Sequence, residues 1–211
     1  MKLTKYEHAC VVLEQDGQKI VIDPGSFTQG LQDLSNVAAL IITHEHMDHF
    51  DQAWIEKLQQ ENPDLLIFTT DSLALEIDAE LAHAVNAGAE HHVGPFDLKF
   101  FGERHAEIHK TIPRPSNVGV LINNTVYYGG DSFDKPDVQP KLLLTPVSAP
   151  WLKMGEVIDY VDAVKPQICV PTHNALNSEI ATTLTEVWLK GVCEKHNIEF
   201  KHLTPGDSID C

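Results

Sequence analysis

The sequence predicts an α/β protein in which two packed sheets carry helices on their outer faces. Strand-like apolar runs occur in both halves of the chain, and so do helical periodicities. Several of the runs are continuous rather than alternating, which suits strands covered on both faces. Sheet packed on sheet, with helices outside, satisfies these observations together.

The elements follow in order. "ACVVLE" and "KIVIDP" flank Asp16-Gly17, a dipeptide that accepts positive φ and so favours a two-residue hairpin turn. "VAALIITH" reads as a strand buried on both faces. Asp51 can cap a helix that places Trp54, Ile55 and Leu58 on one face. "DLLIFTT" is a further strand, followed by a helix from about Asp71 with Leu73, Ile77 and Leu81 at spacing four. "FDLKFFGE", "NVGVLI" and "TVYYGG" read as strands, the last two joined at Asn123-Asn124. "KLLLTPV" and "QICVPTH" come next, with a helix over 154–164 between them. A longer amphipathic helix over 178–196 carries Ile180, Leu184, Trp188 and Val192 on one face, and "IEFKHL" closes as a strand. Without repeats, low-complexity tracts or a Ser/Gly-rich linker, the chain reads as one domain over residues 1–211.

Composition narrows the function classes. Lys and Arg number 15 against 31 Asp and Glu, a net charge of −16. Such acidity argues against binding nucleic acid through its phosphates and against docking on anionic membranes. No apolar run approaches the roughly 20 residues that span a bilayer. Lys5 and Glu7 stand where a signal peptide needs its apolar core. Cys10, Cys169, Cys193 and Cys211 are scattered, with no CxxC pair. The expectation is a cytoplasmic protein with reduced thiols and a small-molecule substrate, without nucleic-acid or membrane partners. A homo-oligomer is allowed but not required.

The most informative stretch is "ITHEHMDHFD", with His44, His46, Asp48 and His49 inside six positions. In an extended segment residues two apart point the same way, so His44 and His46 can face one ion. Asp48 and His49 follow where the strand should end, and a tight loop can turn them toward a second. Imidazole and carboxylate both suit zinc and similar divalent metals. By chance the HxHxDH pattern arises in roughly a few such sequences per thousand, so metal binding outweighs a solvated polar turn.

"THEHMDH" behind an apolar strand resembles the metal-binding signature of the metallo-β-lactamase superfamily. Downstream, "GERHAEIH" offers His105, "YYGGDS" offers Asp131 and "VPTHN" offers His173, while the upstream "VIDPG" offers Asp23. The resemblance covers nearly the whole chain. It implies a four-layer αββα sandwich with a di-metal site at one edge between the sheets. It also implies His44, His46 and His105 on the first ion, Asp48, His49 and His173 on the second, and Asp131 bridging. Two divalent ions are expected, zinc first, with manganese or iron as alternatives. Asp48 and Asp131 are the candidate catalytic carboxylates. "RHAEIH" leaves His105 and His109 as rivals, both facing the same side of a continuing strand; His105 is favoured. His8 reads as a packed, hydrogen-bonded histidine and Asp23 as a support for the ligand loops. His83, His91, His92, His196 and His202 have no motif around them.

Two ions sharing Asp131 can activate a water molecule and polarise the oxygen under attack, so hydrolysis is the natural reaction. Neither a GxSxG elbow, a P-loop nor a GxGxxG points elsewhere. The stretch 142–174 resembles the small ascorbate-6-phosphate-lactonase-like branch. The leading expectation is a hydrolase of small esters, lactones or phosphoesters. The alternatives are a di-iron redox or ligand-sensing protein and a nuclease-branch phosphodiesterase.

Overall fold

The computed structural model of the protein describes residues 1–77 and 82–211. Its strands are β1 (Lys2–Lys5), β2 (Val11–Gln15), β3 (Gln18–Ile22), β4 (Val37–Ile41), β5 (Leu66–Thr69), β6 (Ala82–Ala84), β7 (Glu90–Val93), β8 (Phe96–Phe101), β9 (Gly119–Ile122), β10 (Val126–Tyr128), β11 (Leu142–Pro146), β12 (Ile168–Thr172), β13 (Glu199–Phe200) and β14 (Ser208–Asp210). The helices are α1 (Gln52–Glu61), α2 (Asp71–Ala74), α3 (Met154–Val164) and α4 (Glu179–Lys195). One sheet runs β14-β1-β2-β3-β4-β5-β6 and the other β13-β12-β11-β10-β9-β8-β7. Each is antiparallel on one side and parallel on the other, the change falling at β3 in the first sheet and at β10 in the second.

The continuous apolar runs divide by the two-residue period of a strand. In β4, Ala39 and Ile41 face the core between the sheets, while Leu40, and Ile42 just beyond the strand, face an outer core with Ile55 and Leu58 of α1. In β11, Leu142 and Leu144 face the inter-sheet core, while Leu143 lies against Val157 and Val161 of α3 and Leu189 of α4. Three cores between four layers make the αββα sandwich. Each fully buried Leu or Ile contributes about 1.5–3 kcal/mol of transfer free energy, so both faces of these central strands are committed.

Local signals explain most boundaries. Asp16 and Gly17 take φ of 50° and 77°, and Gln15 pairs with Gln18, as a two-residue type I′ turn requires. Asn123 and Asn124, at 51° and 49°, also turn β9 into β10, here with Thr125 as a third connecting residue because Ile122 pairs with Val126. Asp51 accepts from the Ala53 amide at 3.0 Å and starts α1.

Several expectations are corrected. The helix from Asp71 spans only four residues; Leu73 and Ile77 are buried, and Leu81 lies outside the described residues. Strands β1, β6, β7 and β14 were not foreseen. In α4, Val192 is buried, but Ile180, Leu184 and Trp188 are 57–75% exposed. The helix packs through Leu189, Val192 and Cys193 near its C-terminal end. Periodicity reveals that a stripe exists; it does not reveal which stripe finds a neighbour.

Candidate metal centre

Strand β4 ends at Ile41, so His44 and His46 lie in the loop that follows it, not on the strand as anticipated. The loop is wound tightly: the amides of His49 and Phe50 both donate to the His46 carbonyl at 2.9 Å. Asp23, buried at the end of β3, clamps it. Its Oδ1 accepts from the Thr43 amide and its Oδ2 from the Thr43 hydroxyl, each at 2.7 Å. Gly25 lets the loop backbone approach β3's end, for a Cβ there would sit 2.1 Å from the Asp48 carbonyl carbon.

The second sheet supplies the opposite wall. His105 lies beyond β8, Asp131 beyond β10 and His173 at the end of β12, the carboxyl ends of strands where open α/β sheets place ligands. Gly130, with φ of +62°, lets the Asp131 amide reach Asn117 Oδ1 at 3.0 Å. His109 is exposed and bonded to Thr111 at 2.8 Å. The strand does not continue past Phe101, so His105 and His109 do not share a face.

Hydrogen bonds settle which nitrogen of each imidazole points inward. A backbone carbonyl only accepts, so His105 Nδ1 must donate to Ala106 O at 2.6 Å and His173 Nδ1 to Ser148 O at 2.5 Å. His49 Nδ1 donates to Asp23 Oδ2 at 2.6 Å. Because Thr43 already gives its proton to Asp23, its oxygen accepts from His44 Nδ1 at 3.0 Å. All four Nε2 atoms are thereby turned toward one another, buried and without a hydrogen-bond partner, as is Asp131 Oδ1. Such outer partners are how proteins orient metal-binding histidines.

The spacing fits cations. His49 Nε2 is 3.2 Å from Asp131 Oδ1, His105 and His173 Nε2 are 3.3 and 3.2 Å from Asp131 Oδ2, and His173 Nε2 is 3.3 Å from Asp48 Oδ2. Two atoms each ~2.1 Å from a tetrahedral zinc ion lie ~3.4 Å apart. Donor atoms of His44, His46 and His105 form one group within 4.8 Å, those of His44, His49 and Asp131 a second, and those of Asp48, His49 and His173 with His8 a third. The residues present therefore fit divalent ions, with Asp131 placed between the groups.

Electrostatics agree. Burial, then the neighbouring His49, holds His44 well below its usual pKa, so it stays neutral as a ligand must. Burial opposes charge on Asp131, yet His49 and His173 keep its carboxyl well below the usual range. Burial likewise opposes charge on His173, but Asp131 and Asp48 push it up to about 9. Without a cation the pocket keeps its carboxylates charged and balances them with protons.

Two supports escaped the sequence reading. Trp151 donates its indole N–H to Asp131 Oδ2 at 2.9 Å, and Asn117 ties Asp131 to Gly129. Trp151 stands in a stretch already likened to the lactonase-like branch, but a lone Trp carries no spacing signal. His8 is buried, and its Nδ1 accepts from the Ala175 amide at 3.3 Å. That fixes the proton on Nε2, which donates to Asp48 Oδ2 at 3.1 Å. His8 thus braces Asp48.

The family model for the β-lactamase superfamily domain matches residues 2–173. The chain belongs to the metallo-β-lactamase superfamily. This superfamily member is 32% identical to protein Rv0786c of Mycobacterium tuberculosis over 181 residues, 83% of this chain and 85% of that one. It is 25% identical to a metal-dependent hydrolase of Methanocaldococcus jannaschii over 186 residues, covering 81% and 83% of the two chains. The fold superposes on Igni18, a metallo hydrolase from Ignicoccus hospitalis, with a TM-score of 0.74 at 18% identity over 99% of this chain and 97% of that one.

Proposed function

We propose that this metal-dependent hydrolase cleaves a small ester, lactone or phosphoester with two divalent ions, zinc first and manganese or iron as alternatives. His44, His46 and His105 would hold one ion, Asp48, His49 and His173 the other, with Asp131 shared. One observation carries the reading: four imidazole Nε2 atoms and one carboxylate oxygen are buried, unpartnered and convergent. Leaving such atoms unsatisfied costs about 1–3 kcal/mol each, so the arrangement makes physical sense as a cation cage. Bound ions would supply a water nucleophile ionising near pH ~7 and polarise the oxygen under attack.

The protein's own groups do the rest. Thr43, Asp23, Ala106 and Ser148 fix Nδ1 as the outward donor of each imidazole, so a cation meets Nε2 and has only to displace its proton where the ring is charged, as at His173. Trp151 holds one oxygen of Asp131. Asp48 is the open carboxylate, its side chain 20% exposed against 4% for Asp131. Braced by His8, Asp48 Oδ2 is the candidate acceptor for the proton given up by attacking water. The net charge of −16 repels polyanions and favours small substrates. Among the described residues no helix is long and apolar enough to cross a membrane; a cytoplasmic location remains part of the proposal. The stretch 142–174 supports a place in the lactonase-like branch.

The test is metal analysis of protein purified without chelators, followed by a panel of esters, lactones, phosphoesters and oligonucleotides on the same material. Two metals per chain with turnover of a small ester is expected. Faster cleavage of tRNA or oligonucleotides would hand the site to the nuclease reading. A redox-active iron form without hydrolysis would hand it to the di-iron reading.

A further inference from the structure

The chain has only two arginines, Arg104 and Arg114, and both line one groove of about 320 Å³ beside the metal centre. His46, one of the proposed ligands, forms part of the same wall, with Glu45, Ser72 and Ser116. Six of the thirteen lysines, by contrast, are paired. Lys19, Lys99, Lys153, Lys190, Lys195 and Lys201 each lie within 4.0 Å of a carboxylate. Among the described residues neither arginine does, in a chain with 31 Asp and Glu. Glu45 on the same wall is bonded to Ser72 at 3.0 Å and lies beyond 4.0 Å from either arginine's nitrogens.

The guanidinium groups are instead held by backbone carbonyls. Arg114 Nε donates to His105 O at 2.7 Å, and Arg104 Nη1 donates to Arg114 O at 3.2 Å. A backbone bridge between Arg104 and Ser116 fixes the strand-like segment that carries them. These bonds orient each group and leave further N–H donors and the whole positive charge unused. Guanidinium matches planar or tetrahedral oxyanions through paired N–H bonds. The groove's volume sits at the small end of ligand pockets, room for one part of a small molecule.

We propose that this groove binds an anionic group, carboxylate or phosphate, carried by the substrate away from the bond that is broken. The proposal rests on the hydrolase reading above and names the substrate class for it. Arg104 is the specificity residue to test, because Arg114 also supports the His105 loop.

Phenylglyoxal labelling of the metal-loaded protein, read by intact mass, reports the groove without turnover, since two arginines allow two labelled sites. Inorganic phosphate or succinate should slow labelling relative to chloride at equal ionic strength, and which of them protects identifies the anion. In parallel, kcat/KM is measured for the p-nitrophenyl monoester of succinate relative to p-nitrophenyl acetate. That ratio should fall about tenfold in Arg104→Gln and recover in part in Arg104→Lys. Hydrolysis of both esters with no protection by either anion and an unmoved ratio would overturn the groove. Protection without hydrolysis of any ester would retain the groove and remove the hydrolase reading instead.

Discussion

Replacing Gly25 by Ala tests whether the ligand loop is placed by steric contact. Gly25 is absent from the positive-φ positions, so an alanine is conformationally acceptable there and space alone decides. The added Cβ would lie 2.1 Å from both the carbonyl carbon and oxygen of Asp48 and 2.5 Å from the His49 nitrogen, where ordinary contact begins at 3.4 Å. The 48–49 peptide must therefore retreat by about 3.4 − 2.1 = 1.3 Å. Metal sites tolerate ligand displacements of roughly 0.2 Å, so Asp48 and His49 would lose their ion while His44, His46 and His105 keep theirs. Overpacking of this kind costs about 1–3 kcal/mol, worth about 2–4 °C of Tm per kcal/mol in a chain of this size. Gly155→Ala, whose Cβ meets nothing within 4 Å, is the matched control and should be neutral or slightly stabilising. Metal per chain by mass spectrometry and melting of the metal-free protein are the two measurements. A Gly25→Ala protein with two metals and wild-type turnover would refute the steric argument.

Other outcomes follow from the same geometry. His105→Ala should empty the first site and His109→Ala should leave metal content intact; the opposite pattern would move the ligand four residues along the chain. Asp131→Ala should disrupt both ions and depress turnover at least a hundredfold, roughly 2.7 kcal/mol or more; two retained metals would exclude a shared ligand. His173, raised to about 9 from 6.5, steadies the metal-free fold fully below pH 6.5, and that contribution is lost as pH rises through about 9. Metal needs the neutral imidazole, so affinity should climb over the same interval with proton release. Calorimetry at pH 7.5 in buffers of differing ionisation enthalpy would detect it, and zero proton release would contradict the assignment.

Where a residue's role depends on its immediate neighbours, the sequence was legible. Asp16-Gly17 and Asn123-Asn124 turn as read, Asp51 caps as read, and the continuous runs are buried on both faces. Roles set by distant partners were harder. His44 and His46 face one another because Asp23 and Thr43 wind the loop, not because a strand alternates, and nothing local in "ITHEH" says so. His105 and His109 are alike in sequence; only the end of β8 at Phe101 separates a buried residue from an exposed one. Strands β1 and β14 are short and partly polar, so pairing rather than pattern makes them strands: β1 lies between β2 and β14, and β14 has β1 as its neighbour. Trp151 was invisible for the same reason, since its partner Asp131 lies 20 residues away and carries no periodic mark.

The pairing of β14 onto β1 sets an order of events in folding. Lys2 pairs with Asp210, so the first sheet closes across 210 − 2 = 208 residues, the kind of long-range pairing that slows folding. Until residues 208–210 have been made and have crossed from the second half of the chain, β1 has one satisfied edge, against β2, and one row of unpaired backbone groups. Open edges invite pairing with other chains. Here the waiting strand reads "KLTK", with Leu3 tucked into the core and Lys2 toward water, and Thr4 later meets Ser208 at 2.9 Å. A charged, four-residue edge is a poor template for aggregation, which makes a late partner tolerable.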